Sequence, residues 1–444
     1  MNNLETICLH GGHTPDSASN ARAVPVYRTS SFVFKDTEHA ANLFALKELG
    51  NIYSRIMNPT QDVLEQRVAS LDNGAAALAL SSGTSAIFYT VINLCQAGDE
   101  IVSANNLYGG SFTQFNDILP QFNIKTNFVD SNDPENFRKA ITPKTKLLFC
   151  ETVSNPGLDV ADIEAIAKIA HEHGLPLVVD STFTTPYLQR PIDHGADIVI
   201  HSLTKWLGGH GAGIGGIVVD SGKFDWKSDK FPLMTQPESS YHGVRWAHDL
   251  GDLSPIAFIL RMRVVPLRNL GACITPDNAW MFLQGIETLT LRMERHCENS
   301  LALAKHLQSH PGVEWVRYPT LDGDKNKPLA DKYLAGKGGH YRSSSGLQAG
   351  DAGGCHVPGT QPRCLPCRRA VGGSQALHPT AVDSPGCPGA VCLGGRSVPQ
   401  CRPQNEGADG PAGSRWSDRD YGRFEPFQSD HRLRVAVASR WRAD

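Results

Sequence analysis

The chain has 444 residues, with 42 lysines and arginines against 45 aspartates and glutamates, a formal net charge of −3. A chain of this length buries a large core, and we expect two domains. The near-neutral charge gives no reason to expect a nucleic-acid or membrane partner, and we find no signal peptide or apolar stretch long enough to span a bilayer.

The first strong structural pattern is a strand, a small turn and a helix. Residues 76–80 (AALAL) predict a strand, residues 81–85 (SSGTS) a turn, and residues 86–95 a helix. A glycine-containing turn that opens a helix presents free backbone N–H groups and the positive end of the helix dipole. This segment therefore predicts an anion site, although many ordinary strand-to-helix turns look similar.

The following elements alternate between strand and helix. Residues 100–103 and 146–149 predict strands, and residues 160–173 predict an amphipathic helix. Tyr108 follows the first of these strands, where its ring would suit stacking on a ligand. Alternation of this kind from about residue 75 to residue 220 predicts a parallel α/β sheet.

Two polar side chains follow buried strands further along. Asp180 ends the apolar run 175–180, and Lys205 follows the run 198–200, flanked by Ser202 and Thr204. Each residue alone has an ordinary explanation. The aspartate could cap the N-terminus of a helix, and the lysine could extend its charged end from the strand into solvent. Together they can face one crevice at the carboxyl edge of a parallel sheet. A desolvated lysine forms a Schiff base, and a carboxylate holds the proton on a pyridine nitrogen, so the pair predicts pyridoxal phosphate (PLP).

The glycine-rich segment 208–216 raises a rival interpretation, a dinucleotide phosphate loop. A dinucleotide fingerprint must follow a strand and open a helix. Here the glycines run directly into residues 217–219 (IVV), which predict a strand. The pattern therefore disfavours an NAD-dependent oxidoreductase.

With these features in place, the chain resembles the Cys/Met-metabolism family of fold-type I PLP enzymes over about residues 3–340. The matching segments are 9–12 (LHGG), 53–55 (YSR), 58–60 (NPT), 82–87 (SGTSAI), 151–152 (ET), 155–156 (NP), 180–183 (DSTF), 201–211 (HSLTKWLGGHG), 211–220 (GAGIGGIVVD) and 283–289 (LQGIETL).

The resemblance implies a three-layer, mostly parallel sheet of the aspartate-aminotransferase-like type with a smaller C-terminal α/β domain. We expect an N-terminal arm in residues 1–60, a PLP-binding domain in 61–270 and the start of the small domain in 271–340. A predicted helix from residue 276 to about 310, followed by a strand from residue 313, would lead into that small domain.

The resemblance also implies roles for individual residues. Lys205 would carry PLP as a Schiff base, Asp180 would pair with the pyridine nitrogen, and Tyr108 would stack on the ring; these three form the predicted catalytic set. Tyr53 and Arg55 would reach the phosphate of a neighbouring subunit, which implies a homodimer or homotetramer with shared active sites. The complete predicted cofactor-binding set is Tyr53, Arg55, Ser82, Gly83, Thr84, Tyr108, Asn155, Asp180, Thr182, Ser202, Thr204 and Lys205.

The activity implied by the resemblance is a γ-replacement on O-acetyl-L-homoserine. Sulfide or methanethiol would displace acetate and give L-homocysteine or methionine. A cystathionine γ-synthase or methionine γ-lyase activity uses the same apparatus and stays open, as does the choice between an acetyl and a succinyl ester.

The composition changes after about residue 340. Residues 341–444 contain no lysine and no isoleucine but 13 arginines, and 15 glycines and 10 prolines make up about a quarter of the segment. This is the composition expected of GC-rich DNA translated out of frame, and it predicts an aberrant tail without the family's packed small domain. We cannot place the arginine that would bind the substrate carboxylate; Arg434 is only a superficial candidate. A catalytically impaired remnant that still binds PLP and oligomerises is therefore the second hypothesis.

The cysteines predict neither a metal site nor disulfides. Cys364, Cys367, Cys387, Cys392 and Cys401 lie in the tail at spacings that fit no zinc finger. The five upstream cysteines lie in mostly apolar or helical contexts, typical of reduced, buried thiols in a cytoplasmic protein. These five are Cys8, Cys95, Cys150, Cys273 and Cys297.

Overall fold

The structure is a computed structural model that describes residues 3–334 and the short segment 348–351. Its centre is a seven-stranded sheet with the spatial order β1-β7-β6-β5-β4-β2-β3. The strands are β1 (Ala76–Leu80), β2 (Glu100–Ala104), β3 (Lys125–Val129), β4 (Thr145–Glu151), β5 (Leu177–Asp180), β6 (Ile198–Ser202) and β7 (Gly216–Asp220). Strands β3, β2, β4, β5 and β6 are mutually parallel, whereas β7 runs antiparallel to both of its neighbours.

Helices cover the sheet and supply the rest of the described chain. They are α1 (Leu4–His10), α2 (Thr37–Phe44), α3 (Pro59–Asp72), α4 (Gly83–Leu94), α5 (Gly109–Thr113), α6 (Glu135–Ala140), α7 (Ile163–Glu172), α8 (Thr185–Leu188), α9 (Pro232–Thr235), α10 (Ala257–Met262), α11 (Arg268–Leu270), α12 (Pro276–Glu287), α13 (Leu289–Gln308) and α14 (Lys327–Tyr333). Short 3₁₀ or π turns occupy Gln114–Ile118, Leu119–Phe122, Pro191–His194, Gly251–Ile256 and Arg263–Leu267.

The apolar runs of the sequence account for the central strands. All seven residues of β4 and all five of β7 are buried, because helices pack on both faces of the sheet. Helix α7 begins where the Asp162 side chain accepts the N–H of Ala165, and its apolar stripe, including Ile166 and Ala170, is buried. Most of the apolar interior forms one continuous core.

The prediction of a mostly parallel α/β sheet is confirmed, and the predicted strands lie within about two residues of those observed. Two details differ. Strand β7 is antiparallel, and the helix predicted from residue 276 to about 310 is two helices that meet at Thr288, whose backbone leaves the helical region at φ −104° and ψ 11°.

The C-terminal part of the described chain adds a second, two-stranded sheet. Strand β8 (Val313–Arg317) pairs antiparallel with β9 (Gln348–Asp351). Within the described ranges, no helix is long and apolar enough to cross a membrane. Apart from residues 348–351, the predicted tail, with Arg434 and the tail cysteines, lies outside the residues that the structure describes.

Candidate active site

Several of the predicted site residues lie at one edge of the sheet, where parallel strands β2, β4, β5 and β6 end. Glu151 ends β4, Asp180 ends β5 and Ser202 ends β6. Glu151 and Asp180 occupy the same register position on neighbouring strands. The carboxyl edge of a parallel sheet is where ligands bind in this architecture.

The turn before α4 lies against the end of β6. A Cβ built on Gly83 would lie 2.8 Å from the Ser202 Cβ, and one built on Gly216 would lie 2.1 Å from the Ser82 carbonyl oxygen. Only glycine at residues 83 and 216 permits this contact. Ser82 caps α4, since its hydroxyl oxygen accepts the Ser85 N–H at 3.0 Å.

Hydrogen bonds of backbone N–H groups and hydroxyls connect the end of β6 with Asp180. The Ser202 N–H donates to the Thr182 hydroxyl oxygen at 2.7 Å, and the Thr182 N–H donates to Asp180 Oδ1 at 2.9 Å. The Thr204 hydroxyl contacts Gly215 twice, donating to its carbonyl at 3.2 Å and accepting its N–H at 3.1 Å. Thr204 would therefore have to exchange one bond to donate to a phosphate.

Glu151 organises the opposite side of the crevice. Its Oε1 accepts the Tyr108 N–H at 2.7 Å, and its Oε2 accepts the Asn155 N–H at 3.2 Å. The Tyr108 ring lies over Gly110, where a Cβ would come within 2.6 Å of the ring. One buried carboxyl thus fixes the backbones of two residues in the predicted cofactor-binding set.

The crevice is electrostatically suited to a cation. Burial raises the pKa of Glu151 well above its usual range, and the nearby Asp180 charge raises it further. Burial also raises the pKa of Asp180, although Thr182 and the charge of His201 act in the opposite direction. A positive group bound beside Asp180 would stabilise its charged form and so lower its pKa. A protonated pyridine nitrogen is such a group. The residues present therefore fit PLP.

A fully buried pair that interacts with Asp180 was not predicted from the sequence. His201 Nε2 lies 2.7 Å from Asp72 Oδ2, and neither side chain is exposed. Burial lowers the pKa of His201, but the Asp72 carboxylate outweighs it and the net pKa is raised. The sequence offered one signal for His201, its position directly before the predicted site residue Ser202. No signal pointed to its partner Asp72, which lies 129 residues away in the chain.

Glu151 is a second residue of the crevice that we did not predict from the sequence, where it appeared only within the matching segment 151–152. It ends an apolar run in the same way as Asp180, so the same strand-end argument applied to it.

Lys205 requires a correction. We expected it at the end of a strand and in a dry pocket, but it lies in the turn three residues beyond β6 and its side chain is exposed in the single chain. The chain's own residues therefore do not desolvate it, because the crevice edge is open to solvent at this point.

Tyr53 and Arg55 lie on the N-terminal segment before α3, and both are exposed. The Arg55 guanidinium carbon lies 5.2 Å from the centroid of the Tyr53 ring. A single chain thus presents both side chains to solvent, and their action on a neighbouring subunit stays a prediction. Among the described residues, no group of three or more histidine, cysteine or acidic side chains is arranged to hold a metal ion.

Comparison with known proteins adds three findings. Residues 5–344 match the family described as Cys/Met metabolism PLP-dependent enzyme. An O-acetyl-L-homoserine sulfhydrylase of Leptospira meyeri is 55% identical over 334 residues, 74% of this chain and 76% of the relative. A homocysteine synthase of Schizosaccharomyces pombe is 51% identical over 334 residues, 74% of this chain and 77% of the relative.

A solved structure agrees with this match. A Campylobacter jejuni protein assigned as an O-acetylhomoserine (thiol)-lyase has a TM-score of 0.75 and 38% identity, covering 79% of this chain and 85% of that chain. That structure carries N'-pyridoxyl-lysine-5'-monophosphate at position 205.

Proposed function

The chain belongs to the Cys/Met metabolism PLP-dependent enzymes, and from this membership we propose that it catalyses a γ-replacement on O-acetyl-L-homoserine. Sulfide would be the incoming nucleophile, and L-homocysteine and acetate would be the products. The observation that carries the proposal is the 55% identity to the Leptospira meyeri O-acetyl-L-homoserine sulfhydrylase. The homocysteine synthase name of the Schizosaccharomyces pombe relative supports the same product.

The phosphate end of PLP fits the start of α4. The N–H groups of Gly83 and Thr84 belong to the first turn of that helix, ahead of the Ser85 N–H that Ser82 already caps. We assign phosphate binding to these N–H groups together with the Ser202 and Thr204 hydroxyls.

The ring end fits the carboxyl pair. Bound PLP supplies an electron sink for a carbanion at the substrate α-carbon. Asp180 would hold the proton on the pyridine nitrogen, Tyr108 would stack on the ring, and Asn155 would bind the ring hydroxyl. The positions of Tyr108 and Asn155 follow from their shared bond to Glu151.

Lys205 would bind the cofactor through Nζ and, when the substrate amine replaces it, move a proton at the substrate α-carbon. Because its side chain is exposed in a single chain, the bound cofactor and a second subunit would have to exclude water from it. We therefore propose a homodimer or homotetramer in which Tyr53 and Arg55 complete the neighbouring site. A cytoplasmic location is part of the same proposal, supported by the free thiols of the described residues.

The test begins with the purified full chain. Borohydride reduction and peptide mass spectrometry should place the pyridoxyl group on Lys205, and Lys205→Ala should remove it. Lys146→Ala is the control, since Lys146 is a buried lysine that pairs with Asp99 away from the crevice edge. A pyridoxyl group on another lysine would reject the assignment.

Substrate choice is tested by offering O-acetyl-L-homoserine, its succinyl ester, cystathionine and methionine to the same protein. Homocysteine formation from the acetyl ester and sulfide should be the fastest reaction. A faster reaction with cysteine and the succinyl ester, or faster elimination from methionine, would instead favour the synthase or lyase alternative.

One observation supports the alternative hypothesis that the chain is a catalytically impaired remnant. The family match ends at residue 344, close to the change in composition, and we place no carboxylate-binding arginine before that point. A remnant would bind PLP but show a greatly raised KM. Replacing the segment after residue 340 with the corresponding segment of the Leptospira meyeri relative should then lower KM, and sequencing the DNA across residue 340 would reveal any change of frame.

A further inference from the structure

We propose that Arg292 is a positioning residue for the turn that carries Lys205, an inference that rests on the proposed role of that lysine. Arg292 lies on α13, and its Nη1 donates to the Trp206 carbonyl oxygen at 2.7 Å. Its Nη2 donates to the Leu207 carbonyl oxygen at 3.3 Å. These carbonyls belong to the two residues that directly follow Lys205.

The same guanidinium also binds the junction of α12 and α13. Nη2 donates to the Gly285 carbonyl oxygen at 2.6 Å, and Nε donates to the Thr288 hydroxyl at 3.1 Å. The Gly285 carbonyl lies in the last turn of α12, where helix carbonyls carry a partial negative charge. Arg292 therefore joins the Lys205 turn to the end of one helix and the start of the next.

Two glycines make this arrangement sterically possible. A Cβ built on Gly209 would lie 2.2 Å from Arg292 Nη1, and one built on Gly285 would lie 2.1 Å from the Gly208 carbonyl oxygen. The turn and α12 thus touch through their backbones. Gly209 also has φ +71°, a conformation that glycine adopts without strain.

Backbone hydrogen bonds within the turn fix the position of Lys205. The Lys205 N–H donates to the Ser202 carbonyl at 3.2 Å, and the Gly209 N–H donates to the Lys205 carbonyl at 2.7 Å. Residue 205 is thus held between the end of β6 and the glycine beside Arg292. A reacting group misplaced by about 1 Å loses much of its effectiveness, so the position of this turn matters for the chemistry of Nζ.

A lysine cannot replace this arginine. The guanidinium presents a rigid fork of five N–H donors, whereas an ammonium is a point charge on a flexible stem. Burial also lowers the pKa of Arg292, as expected for a cation that is largely enclosed by the chain.

The test uses Arg292→Met and Arg292→Lys in the full chain, with Arg67→Met as the matched control. Arg67 is fully buried, whereas Arg292 is partly buried, and both donate to backbone carbonyls; those of Arg67 belong to Gly11 at 3.0 Å and Cys8 at 3.2 Å, in the N-terminal region. Three properties are measured: the affinity of the apoprotein for PLP, the pH midpoint of the visible absorption of bound PLP, and the thermal midpoint.

We expect both Arg292 variants to bind PLP at least about tenfold more weakly and to shift the pH midpoint. Arg67→Met should lower the thermal midpoint but leave the affinity within about twofold and the pH midpoint unchanged. Parental affinity and pH midpoint in a folded Arg292 variant, or equal effects of Arg67→Met, would overturn the inference.

A second perturbation keeps the test open if Arg292→Met does not fold. Gly209→Ala forces a Cβ against Arg292, and Gly243→Ala is its control, because Gly243 has φ +72° but no atom within 4 Å of the added Cβ. Both changes carry the same backbone strain, but only the first should weaken PLP binding. In an Arg292→Lys background, Gly209→Ala should act less than additively; full additivity would contradict the proposed coupling.

The order of measurements separates the two proposals. If borohydride does not label Lys205 in the parent protein, the proposed function fails and this inference fails with it. If the parent is labelled and the Arg292 variants are indistinguishable from it, only the inference fails.

Discussion

The replacement Glu151→Gln tests whether one buried carboxyl fixes the positions of Tyr108 and Asn155, both proposed to contact the cofactor ring. Glu151 accepts one N–H on each oxygen, from Tyr108 at 2.7 Å and from Asn155 at 3.2 Å. An amide keeps one acceptor oxygen, but its nitrogen accepts nothing, so one of the two N–H groups must face another donor. This loss is independent of the protonation of Glu151, because the oxygen of a protonated carboxyl still accepts.

The magnitude follows from the burial of the site. A buried donor left without a partner costs about 1–3 kcal/mol. The Tyr108 bond is the shorter, so we expect the amide oxygen to keep it and the Asn155 backbone to shift. The free energy of unfolding should fall by about that amount, and PLP affinity should fall by about tenfold, equivalent to 1.4 kcal/mol.

The assay is titration of the apoprotein with PLP, alongside denaturant unfolding. Glu65→Gln is the matched control: Glu65 is buried, its Oε1 accepts the Ala79 N–H at 2.9 Å, and its Oε2 pairs with Arg263, outside the crevice. It should lose stability without losing PLP affinity. Equal PLP affinity in the two variants would refute the reasoning.

Three further predictions concern the site and the core. Asp180→Asn should retain PLP but lower kcat at least about 100-fold, since a neutral amide cannot hold the ring proton; turnover within about tenfold of the parent would remove Asp180 from that role. Mixing Lys205→Ala chains with Arg55→Ala chains should restore some activity, because each hybrid dimer has one intact site; hybrids that form without recovery would count against a shared site. Burial raises the pKa of Asp220 to about 7, with the Asp197 charge adding to it. Between about pH 4 and pH 7 the folded chain therefore holds a proton that the unfolded chain has released, and stability falls as pH rises through this window. Asp220→Asn should flatten that decline when denaturant midpoints are compared at pH 5 and pH 8, and parallel pH profiles would show that Asp220 is not its source.

The strands of the sheet were predictable because their signal is local. Each central strand is a short apolar run bounded by polar or small residues, and residues 76–80 have the same bounds in the structure. The family and the PLP cofactor predicted from these segments are confirmed by the match over residues 5–344. Strand direction has no such local signal. Strand β7 runs antiparallel, and its first residue, Gly216, lies against the backbone of Ser82, a contact between positions 134 residues apart in the chain.

The break between α12 and α13 was missed for a related reason. The helical pattern continues through Thr288, and threonine carries no strong stop signal. At the junction the Thr288 hydroxyl donates to the Gly285 carbonyl, and Arg292 contacts both groups as well as the Lys205 turn. The contact with the Lys205 turn joins segments that are far apart in the sequence, so the helical pattern carries no sign of it.

The pKa values in the crevice also depend on tertiary structure and not on residue type alone. The strand-end position identifies Asp180 as a candidate site residue, but its pKa depends on the groups that neighbouring strands bring close to it. Glu151 is 29 residues before Asp180, yet adjacent strands bring the two carboxyls into one register, and burial with this repulsion raises the Glu151 pKa. His201 acts on Asp180 instead: its positive charge lowers the pKa of Asp180, and the Asp72 carboxylate raises the pKa of His201 itself. A cation bound beside Asp180 would stabilise the Asp180 carboxylate, as the charge of His201 does when no cation is bound. For that reason we expect removal of the Asp72 carboxylate to raise the pKa of Asp180. Asp72 lies at the end of α3 and acts through His201, whose Nε2 lies 2.7 Å from Asp72 Oδ2.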